Sequence, residues 1–363
     1  MKNTFGQSVS LTVFGESHGE AVGVVIDGLT AGIEVSEEQI KNALAKRRPN
    51  LKTDTTRVEK DDFKILSGVF NGKTTGTPIA IVIPNENTKS GDYESSYGKA
   101  RPSHADYVAF SKYGGNEDFR GGGHFSGRVT AGIVAAGAIL KSALEKKNIF
   151  IGSHILNCKN AKDREFIDAY LDIKKLSESD FPVLDENAKE EITSEILNAK
   201  QNLDSVGGTI ETAVVGLPVG IGEPWFDSLE GVLSHALFSL GGVKGVEFGK
   251  GFDGYKLFGS EYNDAFFYED GKVKTKTNNN GGINGGITNG MPVVFKCAVK
   301  PTPSIAKPQE TIDFIKQENT TLEIKGRHDP AIIRRICPCV ESLTALVICD
   351  MLCLKFGTDY LRD

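Results

Sequence analysis

What this sequence lacks narrows it first. No Pro/Ser-rich linker, block of like charge or low-complexity tract interrupts its 363 residues, so one large domain spanning 1–363 is expected. The opening run Met1-Lys2-Asn3-Thr4-Phe5-Gly6-Gln7 has no apolar core of the signal-peptide kind, and no segment approaches a membrane span, which points to a cytoplasmic protein without a membrane partner. Basic charge is not in excess: the net charge is −6 and the pI about 5.7, so no nucleic-acid partner is expected. The 6 cysteines include no CxxC pair and have no histidine beside them. Cys337-Pro338-Cys339, Cys349 and Cys353 therefore read as buried thiols around an apolar helix at 341–355, and no metal is expected.

Glycine is abundant, and its 41 residues cluster at 121–123, 241–251 and 281–290. Clustered glycine marks loops that bring main chain close to something. The first cluster lies in Phe119-Arg120-Gly121-Gly122-Gly123-His124-Phe125-Ser126-Gly127-Arg128, ahead of a helix on which Ile133, Gly137, Leu140 and Leu144 recur at helical spacing. A glycine loop feeding a helix amino end between two arginines reads either as an anion site or as a tight turn before a close-packed helix. The third cluster, 278–290, reads as strongly exposed backbone.

Two histidines fall in loops. His18 lies in Gly15-Glu16-Ser17-His18-Gly19 between probable strands at 8–13 and 21–26, and His104 follows Arg101-Pro102-Ser103, where proline stiffens the backbone. A histidine in such a turn is placed to exchange a proton near neutral pH. Ser36-Glu37-Glu38-Gln39 forms a capping box, so Lys46, Arg47 and Arg48 fall at the last turn of a helix stopped by Pro49. Strands are expected at 63–69, 79–84 and 209–215, and a capped helix from Ser228 to Leu240 ahead of Gly241-Gly242. The charged stretch 159–202 reads as peripheral, with Ile192, Leu197 and Leu203 facing inward. Val293, Phe295, Cys297 and Val299 alternate with more polar positions, a two-faced strand that ends at Lys300-Pro301-Thr302-Pro303-Ser304. A lysine with hydroxyls and amides suits a phosphate or the polar edge of a flavin. Lys325-Gly326-Arg327-His328-Asp329-Pro330 closes the set, with Asp329 held out of helical geometry by the following proline.

In order along nearly the whole chain, Gly15 to Gly19 with Ile26-Asp27-Gly28, Arg101 to Asp106, Arg120 to Arg128, Lys300 to Ser304, and Gly326 to Pro330 with Glu341-Ser342 resemble the chorismate synthase family. The resemblance implies an α+β fold, a single β-α-β sandwich, assembled as a homotetramer. It implies a carbon–oxygen lyase that eliminates phosphate from 5-enolpyruvylshikimate 3-phosphate in the shikimate pathway, with reduced FMN and no net redox change; a bifunctional variant also reduces its flavin with NADPH. Carried over by position, His18 would protonate the leaving phosphate, His104 would serve the flavin's protonation, and Asp329 would assist removal of the C6 proton. Arg47, Arg101, Arg128 and Arg327 would hold the substrate. The flavin would rest on Arg47, His124, Phe125, Ser126, Gly241, Gly242, Gly285, Lys300, Pro301, Thr302, Pro303, Ser304 and Arg327. The chain departs from the common pattern at His124-Phe125, where Arg-Ser is usual, at Gly241 for asparagine, at Lys52-Thr53 where an arginine is common, and at Thr30 for proline.

Overall fold

The computed structural model describes residues 2–54, 60–86, 97–324 and 329–362. Strands β1 (Thr4–Phe5), β2 (Ser10–Gly15) and β3 (Ala21–Asp27) lead to helix α1 (Glu37–Arg47), then β4 (Lys64–Ser67), a small β5–β6 hairpin (Val69–Phe70, Lys73–Thr74) and β7 (Ile79–Pro84). The strand expected at 8–13 begins later because the amides of Gln7, Ser8 and Val9 donate instead to the buried carboxylate of Asp350, at 3.0, 2.7 and 2.9 Å. Helix α1 starts as expected, with the Ser36 hydroxyl accepting from the Gln39 amide at 3.3 Å. Asn71 and Gly72 turn the hairpin with φ of 49° and 73°, the geometry Asn-Gly favours. These strands form an antiparallel sheet in the order β1-β2-β3-β7-β4.

The chain continues through α2 (Asp106–Tyr113), the glycine loop, α3 (Thr130–Lys146), β8 (Phe150–Cys158), β9 (Ala161–Lys162), α4 (Ala169–Ser177), α5 (Glu186–Gln201) and β10 (Gly208–Val215). It then forms α6 (Leu229–Leu237), β11 (Val243–Phe248), the short α7 (Gly259–Tyr262), hairpins β12–β13 (Phe266–Glu269, Lys272–Thr275) and β14–β15 (Ile283–Asn284, Ile287–Thr288), and β16 (Val293–Val299). A last hairpin, β17–β18 (Gln309–Asp313, Glu318–Leu322), precedes α8 (Ile333–Phe356). The second sheet is antiparallel, in the order β11-β16-β10-β8-β9.

Helices α3 and α8 lie side by side between the two sheets, α3 against β3 and β7 and α8 against β8 and β10. This is the β-α-β sandwich of a mixed α+β fold. The middle layer is tight because its contacts are small: a Cβ on Gly137 would sit 2.1 Å from Ser342 Oγ, and one on Gly132 would sit 2.8 Å from a Val24 methyl. One contiguous apolar core follows from this arrangement, from Val22, Val24 and Ile26 through Ile139 and Leu140 to Leu346 and Phe295. Each large side chain so buried contributes roughly 1.5–3 kcal/mol of transfer free energy.

Three expectations are corrected. The helical segment Gly127–Lys146, which includes α3, and helix α8 do reach the length and apolar content of membrane spans, but 78% and 94% of their apolar windows are buried inside the protein, as core helices are. The stretch 159–202 is not merely peripheral: Ile192, Ile196 and Ala199 are buried, while Leu197 is half-buried and Leu203 is 58% exposed. Asp185 caps α5 and sets that phase. The segment 278–290 is largely buried, since Asn278 Nδ2 donates to Pro292 O at 2.8 Å and Gly281, Gly282 and Gly286 lie against neighbouring main chain.

Candidate active site

The glycine loop is a platform for both loop histidines. Gly121, Gly122 and Gly123 have φ of 59°, 86° and 50°, which a side chain rarely adopts. Space is as restrictive as conformation: a Cβ on Gly121 would meet His18 Cε1 at 2.2 Å, and one on Gly122 would meet His104 Cε1 at 3.1 Å and Arg101 at 3.6 Å. Consecutive glycines thus let His18 and His104 approach one stretch of main chain.

The Gly15–Gly19 turn is bound to this loop. Ser17 N donates to Gly123 O at 3.1 Å, Ser17 Oγ to Arg120 O at 3.1 Å, and His124 Nδ1 to Gly15 O at 2.8 Å. With its hydrogen given to Arg120 O, the Ser17 hydroxyl accepts from His18 Nδ1, 3.0 Å away, so the neutral ring carries its proton on Nδ1. His104 is tethered differently, with Nδ1 2.8 Å from Asp106 Oδ1. The same carboxylate takes the fork of Arg101 at 2.8 and 2.6 Å. Burial would raise the Asp106 carboxyl, but the hydrogen bonds from Arg101 and His104 outweigh it and hold the group well below the ordinary range.

A second set of cations lies where α1 ends. Arg47 and Arg128 are 6% and 7% exposed. Arg47 donates to Thr130 Oγ1 at 3.0 Å and to Gly127 O at 2.5 Å. Arg128 donates to Asn85 Oδ1 at 2.9 Å, to Pro84 O at 3.0 Å and to Asp61. Asp61, with φ of 55° and a fully buried side chain, also lies 3.8 Å from Arg47 and 3.5 Å from Arg48. Asp329 pairs with Arg335, whose Nε donates to Arg47 O at 2.9 Å. Burial first, and then the charge of Arg335, push the Arg47 guanidinium below its ordinary value. Among the described residues, four guanidinium groups here face two carboxylates, and that surplus favours an anion. The forks flanking the glycine loop are not open, however: Arg120 holds Asp118 at 2.8 Å and Arg128 holds Asp61.

The remaining positions fall in two places. Lys300 Nζ donates to Ser103 O at 2.5 Å, and Arg101 reaches Ser304 Oγ at 3.4 Å, so the 300–304 loop lies beside the Arg101–His104 loop. Burial and the charge of Lys244 lower the Lys300 ammonium. Gly242 joins this side through Lys300 N, which donates to its carbonyl at 2.9 Å, and Gly241 precedes it. Pro301 follows Lys300, Pro303 O accepts from Gln309, Thr302 O accepts from Ser205 at 2.7 Å, and Thr302 Oγ1 is buried without a partner. Phe125 is 43% exposed, its ring 6.2 Å from Tyr113, and Ser126 Oγ accepts from Arg128 N at 3.3 Å. Gly285 lies apart. Its neighbour Gly286 accepts from Leu229 N at the start of α6, whereas Gly241 follows the other end, about 13 Å away along that helix. Arg327, with Gly326 and His328, lies outside the described residues.

Asp61, Asn85 and Arg335 were not legible as site residues. Asn85 joins the two halves, its amide donating to Glu16 O and Gly19 O at 2.9 Å while its oxygen accepts from Arg128. The one available signal was Arg334-Arg335 in the first turn of an apolar helix, where the dipole disfavours cations. A pair of cations placed there needs partners elsewhere.

Comparison with known proteins agrees with this geometry. The family described as chorismate synthase matches residues 9–353. Similar proteins include the chorismate synthases of Thermococcus kodakarensis, 45% identical over 96% of this chain and 96% of that one, and of Dehalococcoides mccartyi, 44% identical over 97% and 96%. The protein of that name from Methanobrevibacter smithii is 46% identical over 96% of each chain. A crystal structure of chorismate synthase superimposes with a TM-score of 0.74 at 28% identity, covering 97% of this chain and 94% of the other. With a match of that length, in a sandwich that brings His18 and His104 to one glycine loop, the chain belongs to the chorismate synthase family.

Proposed function

We propose that this protein converts 5-enolpyruvylshikimate 3-phosphate to chorismate by 1,4-anti elimination, the last common step of aromatic amino-acid biosynthesis. The observation that carries the reading is the approach of His18 and His104 to adjacent glycines beside a surplus of guanidinium charge. The substrate loses a proton from C6 and phosphate from C3, so electrons balance without an external oxidant. A ligand with one phosphate and two carboxylates matches the cations at the end of α1 together with Arg101.

Reduced FMN, when bound, supplies electron density to the reacting ring and is recovered unchanged. The residues fit such a group: the unpartnered Thr302 hydroxyl, the Lys300 ammonium and the exposed Phe125 ring offer a hydrogen-bond donor, a cation and an apolar face. His124, Ser126, Gly241, Gly242 and Pro301 to Ser304 would line it, with Arg327 and, from its separate hairpin, Gly285.

His18, when protonated on both nitrogens, would deliver its Nε2 proton to the departing phosphate and be left as the neutral Nδ1–H ring that Ser17 holds. His104, held through Nδ1 by Asp106, would serve the flavin's protonation through its Nε2. Asp329, oriented by Arg335, would assist removal of the C6 proton. The exposed apolar side chains Trp225, Phe226, Phe252 and Phe258, each at least 78% exposed, support self-assembly, for which the resemblance implies a homotetramer that light scattering tests.

An anaerobic assay with the substrate and dithionite-reduced FMN, following phosphate release and chorismate absorbance, tests the reading. Product formation is expected; folded protein that binds FMN yet forms none overturns it. Replacing dithionite by NADPH decides whether the protein also reduces its flavin.

A further inference from the structure

Helix α8 opens on two arginines that point back to the end of α1. Arg334 donates to Arg48 O at 2.8 Å, to Lys46 O at 3.3 Å and to Asp54 at 2.5 Å. Arg335 donates from Nε to Arg47 O at 2.9 Å and from NH1 to Asp329. Together they satisfy three carbonyls that a helix end leaves without intrahelical partners. Arg335 carries the tie on to a carboxylate of the candidate site. From the same residue the Arg47 side chain turns to Gly127 O and Thr130, at the far end of the glycine loop.

Resting on the reading that Asp329 assists removal of the C6 proton, we propose that Arg335 is a positioning residue that locks the Asp329 carboxylate to the end of α1. Arg335 does not touch the reacting atoms. One planar guanidinium sets the distance between the carboxylate and the Arg47 main chain, and through Arg47 the register of both against the glycine loop. The neighbouring Arg334 makes a parallel tie to Asp54 and serves as the internal control.

The test compares Arg335→Ala, Arg335→Lys, Asp329→Ala, the Arg335→Ala/Asp329→Ala double variant and Arg334→Ala. Each is assayed with substrate carrying hydrogen or deuterium at C6. Arg335→Ala is expected to lower kcat about 10–100-fold with KM nearly unchanged, as for a group displaced by about an ångström, and to raise the isotope effect on kcat. Arg335→Lys recovers part of the loss, and the double variant is no slower than Asp329→Ala. Arg334→Ala leaves the isotope effect where it is. Multiplicative losses in the double variant, an unchanged isotope effect, or a loss confined to KM would overturn the proposal.

Amide hydrogen exchange on the protein without substrate or flavin supplies a readout independent of turnover. Faster exchange in Arg335→Ala confined to residues 46–48 and 329–331 is expected, and unaltered exchange there overturns the tie even in active enzyme. Wild-type protein that forms no chorismate overturns the role given to Asp329, on which the proposal rests.

Discussion

Two parts of this molecule use histidine in opposite ways. In the second sheet, His154 has no exposed surface and is held at both ring nitrogens, Nδ1 by Asp163 and Nε2 by Glu211, each at 3.0 Å. Burial would lower its pKa, but the bonds to the two carboxylates outweigh burial and raise it, so the ring is a fixed imidazolium. Asp163 also accepts from the amides of Leu184, Asp185 and Arg164, and Glu211 from Phe166, which pins the segment after β9 onto the sheet. In the glycine loop, by contrast, His18 and His104 are tethered at Nδ1, by a hydroxyl and by a carboxylate. A ring gripped through both nitrogens by carboxylates holds a fold together. A ring oriented through Nδ1 has a defined tautomer with which to do chemistry.

Replacing His18 by alanine breaks the comparison from the chemical side. Turnover should fall about 10²–10⁴-fold while FMN affinity stays within a few-fold, read by chorismate formation and flavin titration. Unaltered turnover removes the proton-donor role. His154→Ala attacks the structural side: two buried carboxylates lose their counter-ion, so urea unfolding should report a loss of about 3–5 kcal/mol. Turnover per folded molecule should remain near wild type, and a selective loss of turnover would mean the two regions are coupled.

The pH dependence sharpens the same contrast. His154 titrates higher folded than unfolded, so its stabilisation is full below about pH 6.5 and is lost as pH rises through the folded value. Asp163 runs the other way: burial is outweighed by its bond from His154, its pKa is lowered, and its contribution is full above about pH 4 and lost on acidification. The stability gap between wild type and His154→Ala should therefore be flat between about pH 5 and 6.5 and shrink at higher pH. A gap that widens above neutrality contradicts the imidazolium.

The smallest effect separates strain from collision. Gly121 and Gly32 both have positive φ, at 59° and 100°, but a Cβ on Gly32 meets nothing within 4 Å. Gly32→Ala should cost only the backbone term, about 1–3 kcal/mol of stability, whereas Gly121→Ala should add a loss of turnover by displacing His18. Equal turnover in the two variants would show that the His18 contact is not needed.

How much of this was readable beforehand depends on range. The capped start of α1, the two-faced strand β16 and the loop histidines declare themselves through neighbours a few residues away, because capping, alternation and glycine punctuation are local. Asp61 does not: its φ of 55° and its three guanidinium neighbours come from α1 and the glycine loop, across 13 to 67 residues of chain. Asp350 likewise claims the amides of residues 7–9 from the opposite end of the sequence and shifts the first long strand by two residues. The glycines at 281–286 misled because glycine serves exposed turns and buried main-chain contact equally well. Composition alone also underestimated α8, whose apolar character answers to two sheets and not to lipid.

The position of α8 has a consequence for how the chain is born. Apart from the turn Thr358–Leu361, the elements it packs against, among them α1, α3, α6, β8 and β10, precede it in the sequence, and both sheets are synthesised before this second helix of the middle layer. At roughly 5–20 residues per second, about 15–70 s pass on the ribosome between the first strand and this helix. Until α8 is made, the face of β8 and β10 that it covers lacks that cover, whereas α3 already lies against β3 and β7. A message cut short before codon 333 yields a middle layer that holds α3 without its partner helix.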